Sequence, residues 1–221
     1  MHHLYVRGRD ALASIIDALL PRSARTIRTI ARTEHDIPLR VVSHHLFENE
    51  IVTLMDYQNP AVQDLIWSLK YDGAGYSAHV CARILADFLR EEIATEHTYS
   101  PRPVLLVPIP LHPARKRERG FNQIEVVLDR LPVSLCDGTI ATLAPKILAR
   151  TKATQQQARL AREARLKNVR GAFEVSNVTD ISGSHVFLID DVATTGATLT
   201  SAAKALRKTG AQVTLIALAR A

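Results

Sequence analysis

Apolar positions recur along the chain at two periods, and the sharpest change of period lies between residues 185 and 210. Val186 to Ile189 is a short apolar run, bounded by Ser182-Gly183-Ser184 before it and Asp190-Asp191 after it. That pattern predicts a central strand buried on both faces. Leu199, Ala202, Ala203 and Leu206 then share one helical face, closed by Gly210. The unit reads as strand, acidic pair, small-residue loop, helix.

The same reading extends upstream. Leu12, Ile15, Ile16 and Leu19 predict a helix over 10–20, ended near Pro21, and a basic helix follows over 24–32. These two serve as a packing appendage or as a partner-binding arm. A strand is expected over 51–57 and a helix over 60–70, with Val62, Leu65, Ile66 and Leu69 facing inward. The break at Tyr71-Asp72-Gly73-Ala74-Gly75 leads into a helix over 76–93 carrying Val80, Ile84, Leu85, Phe88 and Leu89. Val104 to Val107 predicts another strand, whose exit through Pro108, Pro110 and Pro113 cannot continue a ladder. Further elements are a helix over 122–131, a strand near 146–149 and a strand beginning at 171–173. Strands alternating with helices predict a parallel α/β sheet flanked by helices, with the ligand at the strands' C-terminal edge. The expected division is an N-terminal helical extension over 1–50 and one α/β domain over 51–221.

Composition narrows this little. With 221 residues, 47% hydrophobic and 23% charged, the chain can bury one good core. No run approaches eighteen apolar residues and no secretory pattern opens the chain, so no membrane insertion and a cytoplasmic location are expected. Cys81 and Cys136 lack the spacing of a disulfide framework or zinc ribbon, so no zinc is expected. The adjacent pairs His2-His3 and His44-His45 face opposite ways and make poor metal ligands.

Charge matters through its placement. The net +6 gathers in two blocks: residues 102–119 hold five basic side chains against one acid, and residues 150–170 hold seven against one. Both suit a pyrophosphate, and both would attract single-stranded DNA equally well.

The turn after the 186–189 strand suits a sugar phosphate. Exposed amides at a helix start bind phosphate, Gly196 permits close approach, and the threonine hydroxyls add donors. Carboxylates beside an anion make sense if they accept hydrogen bonds from vicinal hydroxyls of the same ligand. The motifs of triphosphate and dinucleotide loops are missing. The Arg115, Lys116, Arg117 and Arg119 turn would face the acidic pair across one crevice.

Val186 to Thr198 resembles the ribose-phosphate signature of type I phosphoribosyltransferases, which bind 5-phosphoribosyl-1-pyrophosphate (PRPP). The resemblance implies that Asp190 and Asp191 hold the ribose hydroxyls while Ala193, Thr194, Thr195, Gly196, Ala197 and Thr198 hold the 5′-phosphate. It also implies a pyrophosphate loop at Pro110, Leu111 and His112, with Arg115 and Lys116 as charge partners. His112 serves there as a titrating group or as a plain hydrogen-bond donor. The block carrying Arg150, Lys152, Gln156, Arg159 and Arg165 is either a solvated basic helix or a mobile cover over the polyphosphate.

Two further stretches narrow the family. Val107 to His112, Arg119-Gly120-Phe121-Asn122-Gln123, Leu69-Lys70-Tyr71 and the residues Arg150, Thr151, Gln156, Leu160, Arg165, Asn168 and Gly171-Ala172-Phe173 resemble the ComF family of competence-associated phosphoribosyltransferase-like proteins. The chain departs from many members in having no four-cysteine zinc ribbon. The resemblance implies binding of PRPP or a nucleoside monophosphate, with Mg²⁺ held by substrate oxygens and water and not by the protein alone. It implies a phosphoribosyltransferase that transfers or hydrolyses a phosphoribosyl group, as in nucleotide metabolism. The alternative is a sensor of PRPP or nucleotides, or an accessory to single-stranded DNA uptake in competence, without turnover. Oligomeric state stays open.

Overall fold

The computed structural model describes residues 24–71, 75–99, 102–152, 171–176 and 181–221. The helix expected over 10–20 lies outside them. In chain order the described elements are α1 (Ala24–Ile30), a 3-10 turn, β1 (Leu39–Leu46), β2 (Asn49–Asp56), α2 (Pro60–Tyr71), α3 (Gly75–Tyr99) and β3 (Val104–Pro108). There follow α4 (Pro113–Arg119), α5 (Gln123–Leu128), α6 (Val133–Cys136), β4 (Thr142–Leu143), β5 (Leu148–Arg150) and β6 (Phe173–Val175). The chain closes with β7 (His185–Ala193), α7 (Ala197–Arg207) and β8 (Gln212–Arg220).

Six strands form one sheet in the order β1-β2-β8-β7-β3-β4, and β5 pairs with β6 in a separate antiparallel ribbon. Only the β1–β2 pair of the main sheet is antiparallel. The α/β expectation therefore holds, with one change at its border. Residue 51 falls inside β2, and β1 is hydrogen-bonded to β2 in the main sheet. A boundary between 50 and 51 would cut a hairpin, so the sheet domain starts by Leu39. The polar residues of β1, Arg40, Ser43, His44 and His45, follow no period of two, which hides its strand character at the sheet edge.

β7 lies between β8 and β3, and its interior is apolar on both faces for that reason. Period-two alternation sends Phe187 and Ile189 toward a core built with α2, α3 and α5. Val186 and Leu188 point the other way, into a core shared with α7 and the β5–β6 ribbon. From β3 the chain passes outward to β4, then returns to β7 on the other side of β3. The strand order thus reverses at β3 and β7, and ligands of open α/β sheets bind at the C-terminal edge of such a reversal.

Local chemistry sets the helix ends near that edge. Asn59 caps α2 by accepting from the Ala61 amide at 2.9 Å, with Pro60 opening the helix. The basic stretch after β3, expected as a turn, is the short helix α4, with Pro113 in its first turn and Gly120 in the left-handed region (φ 84°) at its end. Asn122 starts α5 by accepting from the Ile124 amide at 3.0 Å and donating to the Ile109 carbonyl at 3.0 Å. α5 stops at Leu128, short of the expected 131, ahead of Pro132. Asp64 on α2 anchors α1 through Arg28 at 2.8 Å and Arg32 at 3.2 Å. No helix among the described residues is long and apolar enough to cross a membrane.

Candidate functional site

Asp190 and Asp191 end the apolar part of β7 at the sheet's C-terminal edge. Consecutive strand residues point to opposite faces, and the two carboxylates separate accordingly. Asp191 faces the helical layer. Its Oδ2 is 3.1 Å from Lys70 Nζ, at the end of α2, and also accepts from the Gln123 side chain, at the start of α5. Gln123 in turn accepts from Arg119 at 2.8 Å, and the Arg119 guanidinium lies 5.3 Å from the centre of the Tyr71 ring. A chain of contacts therefore runs Tyr71, Arg119, Gln123, Asp191, Lys70, closing on the covalent bond between Lys70 and Tyr71.

Asp190 has no such side-chain partner among the described residues; its Oδ1 accepts from the Asp191 amide at 2.8 Å. Burial, reinforced by the adjacent charge of Asp191, pushes the Asp190 carboxyl up to about 7. Lys70 and Arg150 pull the other way with less effect. Burial also draws the Arg150 guanidinium below its ordinary value while the charge of Asp190 opposes that.

The loop at 193–198 crosses from β7 to α7. Gly196 has φ 77° and forms the cap position of α7 without a side-chain hydrogen bond. A Cβ placed there would come within 2.5 Å of Ile51 Cδ1 and 3.2 Å of Leu46, so glycine lets the loop settle onto the β1–β2 hairpin as well as take the left-handed turn. The Ala197 amide points to Thr195 Oγ1 at a long 3.4 Å, so one loop amide is weakly answered from within. On the loop's other flank Arg220 donates to the carbonyls of Ala193, at 2.9 Å, and Thr194. Beyond Arg220 opens a cavity of about 340 Å³ lined by Arg40, His44, Thr53, Asp56 and Gln58 among others. It is one strand removed from the acidic pair.

Pro110, Leu111 and His112 leave β3 beside the same edge, held by the Ile109 amide on the Ile189 carbonyl at 2.8 Å. His112 Nδ1 accepts from the Ala114 amide at 3.3 Å and caps α4, which leaves Nε2 as the ring's donor. Lys116 is turned to Glu125, 3.0 Å away. Arg115 is near enough to Arg150 for their charges to interact. Arg150 itself belongs to β5, paired with Phe173, with its guanidinium 5.4 Å from that ring. The backbone pairing of this ribbon continues to the Thr151 amide on the Ala172 carbonyl. Lys152 is exposed; Gln156, Arg159 and Arg165 lie outside the described residues.

Sequence reasoning named the acidic pair and missed the residues that hold it. Lys70, Tyr71 and Gln123 entered only as marks of family, and Arg119 as one of the basic residues facing the pair. Their meeting on one carboxylate needed the register of three helices against β7.

The phosphoribosyl transferase domain family matches residues 119–221, which include α5, β7 and the 193–198 loop. The DNA utilization protein YhgH of Salmonella typhi is 32% identical over 163 residues, covering 73% of this chain and 67% of that protein. Competence protein F of Haemophilus influenzae is 30% identical over 175 residues, covering 78% of this chain and 73% of that one. A solved adenine phosphoribosyltransferase from Saccharomyces cerevisiae aligns over 85% of this chain and 88% of its own, at 13% identity and a TM-score of 0.37, a likeness too weak to argue from. With two relatives this similar over this much of their length, the chain belongs to the ComF family of competence-associated, phosphoribosyltransferase-like proteins.

Proposed function

We propose that the protein binds PRPP at the C-terminal edge of β7 and β3 and transfers or hydrolyses its phosphoribosyl group with release of pyrophosphate. One observation carries this reading. The acidic pair, the start of α7 and the Pro110–His112 exit from β3 share a single sheet edge at the strand-order reversal. Asp190 and Asp191 would accept from the ribose hydroxyls, and residues 193–198 would donate to the 5′-phosphate. Arg115, Lys116 and Arg150 supply positive charge toward the diphosphate, Lys116 after leaving Glu125. Gln156, Arg159 and Arg165 would complete a cover that excludes water.

The reaction follows from the ligand. The C1–O bond to pyrophosphate breaks with its electron pair leaving on the pyrophosphate oxygen. A nitrogen nucleophile or water bonds to C1 and loses a proton to solvent. Positioning and charge neutralisation then supply the catalysis. No group of three or more metal-binding side chains occurs among the described residues. Mg²⁺ would be held mainly by diphosphate oxygens and water, where the ion would neutralise the leaving group.

The second reading is a sensor or DNA-uptake accessory without turnover, which the names of the two relatives favour. So does Asp191, whose Oδ2 is already compensated within the protein. Incubation with PRPP and Mg²⁺, with and without each common base, separates the two. Pyrophosphate release is expected; tight binding with no release would leave the sensor, and no binding would end both.

A further inference from the structure

Lys70 and Gln123 act on the same atom. Both meet Asp191 at Oδ2, and Oδ1 has no partner among the described residues. Lys70 comes from the end of α2 and Gln123 from the first turn of α5, so two separately packed helices grip one carboxylate oxygen from fixed positions. Gln123 is nearly fully buried, and Arg119 holds its amide oxygen, which orients its NH₂ group toward Asp191. Arg119 is itself placed by the Tyr71 ring. The contact with Lys70 is not sealed in the core: the Lys70 and Asp191 side chains keep 21% and 11% of their surface. Anchoring one oxygen fixes the plane of the carboxylate and leaves the other to be presented at the sheet edge.

We infer that Lys70 and Gln123 are the specificity-setting pair of the sugar site, positioning Asp191 so that Oδ1 accepts from one ring hydroxyl of a pentose 5-phosphate. This rests on the sugar-phosphate reading of the site. Asp190, on the other face of β7, has no equivalent anchor on its carboxylate and takes the looser of the two hydroxyl contacts. The stereochemistry at one carbon of the sugar is therefore read by residues that need not touch the ligand.

The test compares ribose 5-phosphate with arabinose 5-phosphate and xylose 5-phosphate, which invert the hydroxyls at carbons 2 and 3, by calorimetry on the full chain. Wild type should prefer ribose 5-phosphate over at least one epimer by about tenfold, the worth of one hydrogen bond to a charged group. Lys70→Met should bring that preference close to one while binding through the phosphate persists, and Lys70→Arg should restore most of it. A merely structural role would weaken all three sugars by the same factor and leave the ratio intact, which would overturn the inference. If Lys70→Met does not fold, Gln123→Leu is read by the same ratio with the same two outcomes. Wild-type protein that binds none of the three would remove the sugar-phosphate reading, and the positioning pair with it. Wild-type binding with an unchanged ratio in the variants would remove the positioning pair alone.

Discussion

Asp190 and Asp191 are neighbours in one strand and chemically unlike. Asp191 looks into the helical layer, where an ammonium and an amide meet one of its oxygens. Asp190 looks toward α7 and Arg150, where burial outweighs the nearby positive charge and holds its carboxyl up to about 7. A half-turn of backbone pleat accounts for the difference. Two identical side chains in sequence become one anchored carboxylate and one whose hold on its proton is raised by its surroundings.

The largest effect should separate the two acids. Asp191→Ala leaves Lys70 and Gln123 facing a partly buried void, and breaking a buried pair from one side costs about 3 kcal/mol. For a chain this long that lowers Tm by roughly 6–12 °C. Asp190→Ala removes a half-buried carboxyl with no ion-pair partner among the described residues and should leave Tm at pH 8 unchanged or higher. Thermal unfolding followed by circular dichroism measures both. Equal losses would mean that the two environments are not distinct.

A smaller effect tests whether the loop on the α7 face is fixed by packing. Gly196→Ala puts a Cβ 2.5 Å from Ile51 Cδ1 and holds alanine at φ 77°. Overpacking and left-handed strain together should cost about 2 kcal/mol. Adding Ile51→Val relieves the contact and not the backbone, so it should recover only part of the loss. Full recovery would show that the dihedral angle is unstrained; no recovery would show that the hairpin is not what limits position 196.

How far the sequence foretold this can be argued from the same residues. Val186 to Ile189 and the 199–206 helix were legible because burial on both faces of a strand, or on one stripe of a helix, writes itself as period. β1 was not, because an edge strand carries charge where an inner strand carries valine. β8, Gln212 to Arg220, went unassigned although its run of apolar residues is as long as that of β7. His112 could be seen as a useful residue, but its lone pair is spent on the Ala114 amide, a fact of backbone direction. The anchor on Asp191 joins positions 70, 119, 123 and 191, and no local pattern links them.

The smallest effect is one of pH, and Asp64 supplies its control. The ordinary value for such a carboxyl is 3.8, and Asp190 sits near 7 in the folded protein. Between those values the folded state binds more protons than the unfolded one, so this group's contribution falls as pH rises from about 4 to 7. Asp190→Asn abolishes that fall. It should raise Tm at pH 8 by a few degrees, equivalent to about 1 kcal/mol once residual solvent contact is allowed for, and change nothing near pH 4. Asp64 runs the other way, because hydrogen bonds from Arg28, joined by Arg32, hold its carboxyl below the ordinary value. Its stabilising contribution is present above the unfolded value and is lost as pH falls through the folded one. Asp64→Asn should therefore lower Tm at neutral pH, by less than about 1 kcal/mol because its arginine partners are partly exposed, with the deficit disappearing in acid. Opposite slopes in the two variants would confirm that its surroundings raise the Asp190 carboxyl where those of Asp64 lower it. Parallel slopes would place Asp190 in the same class as Asp64 and erase the distinction between the two faces of β7.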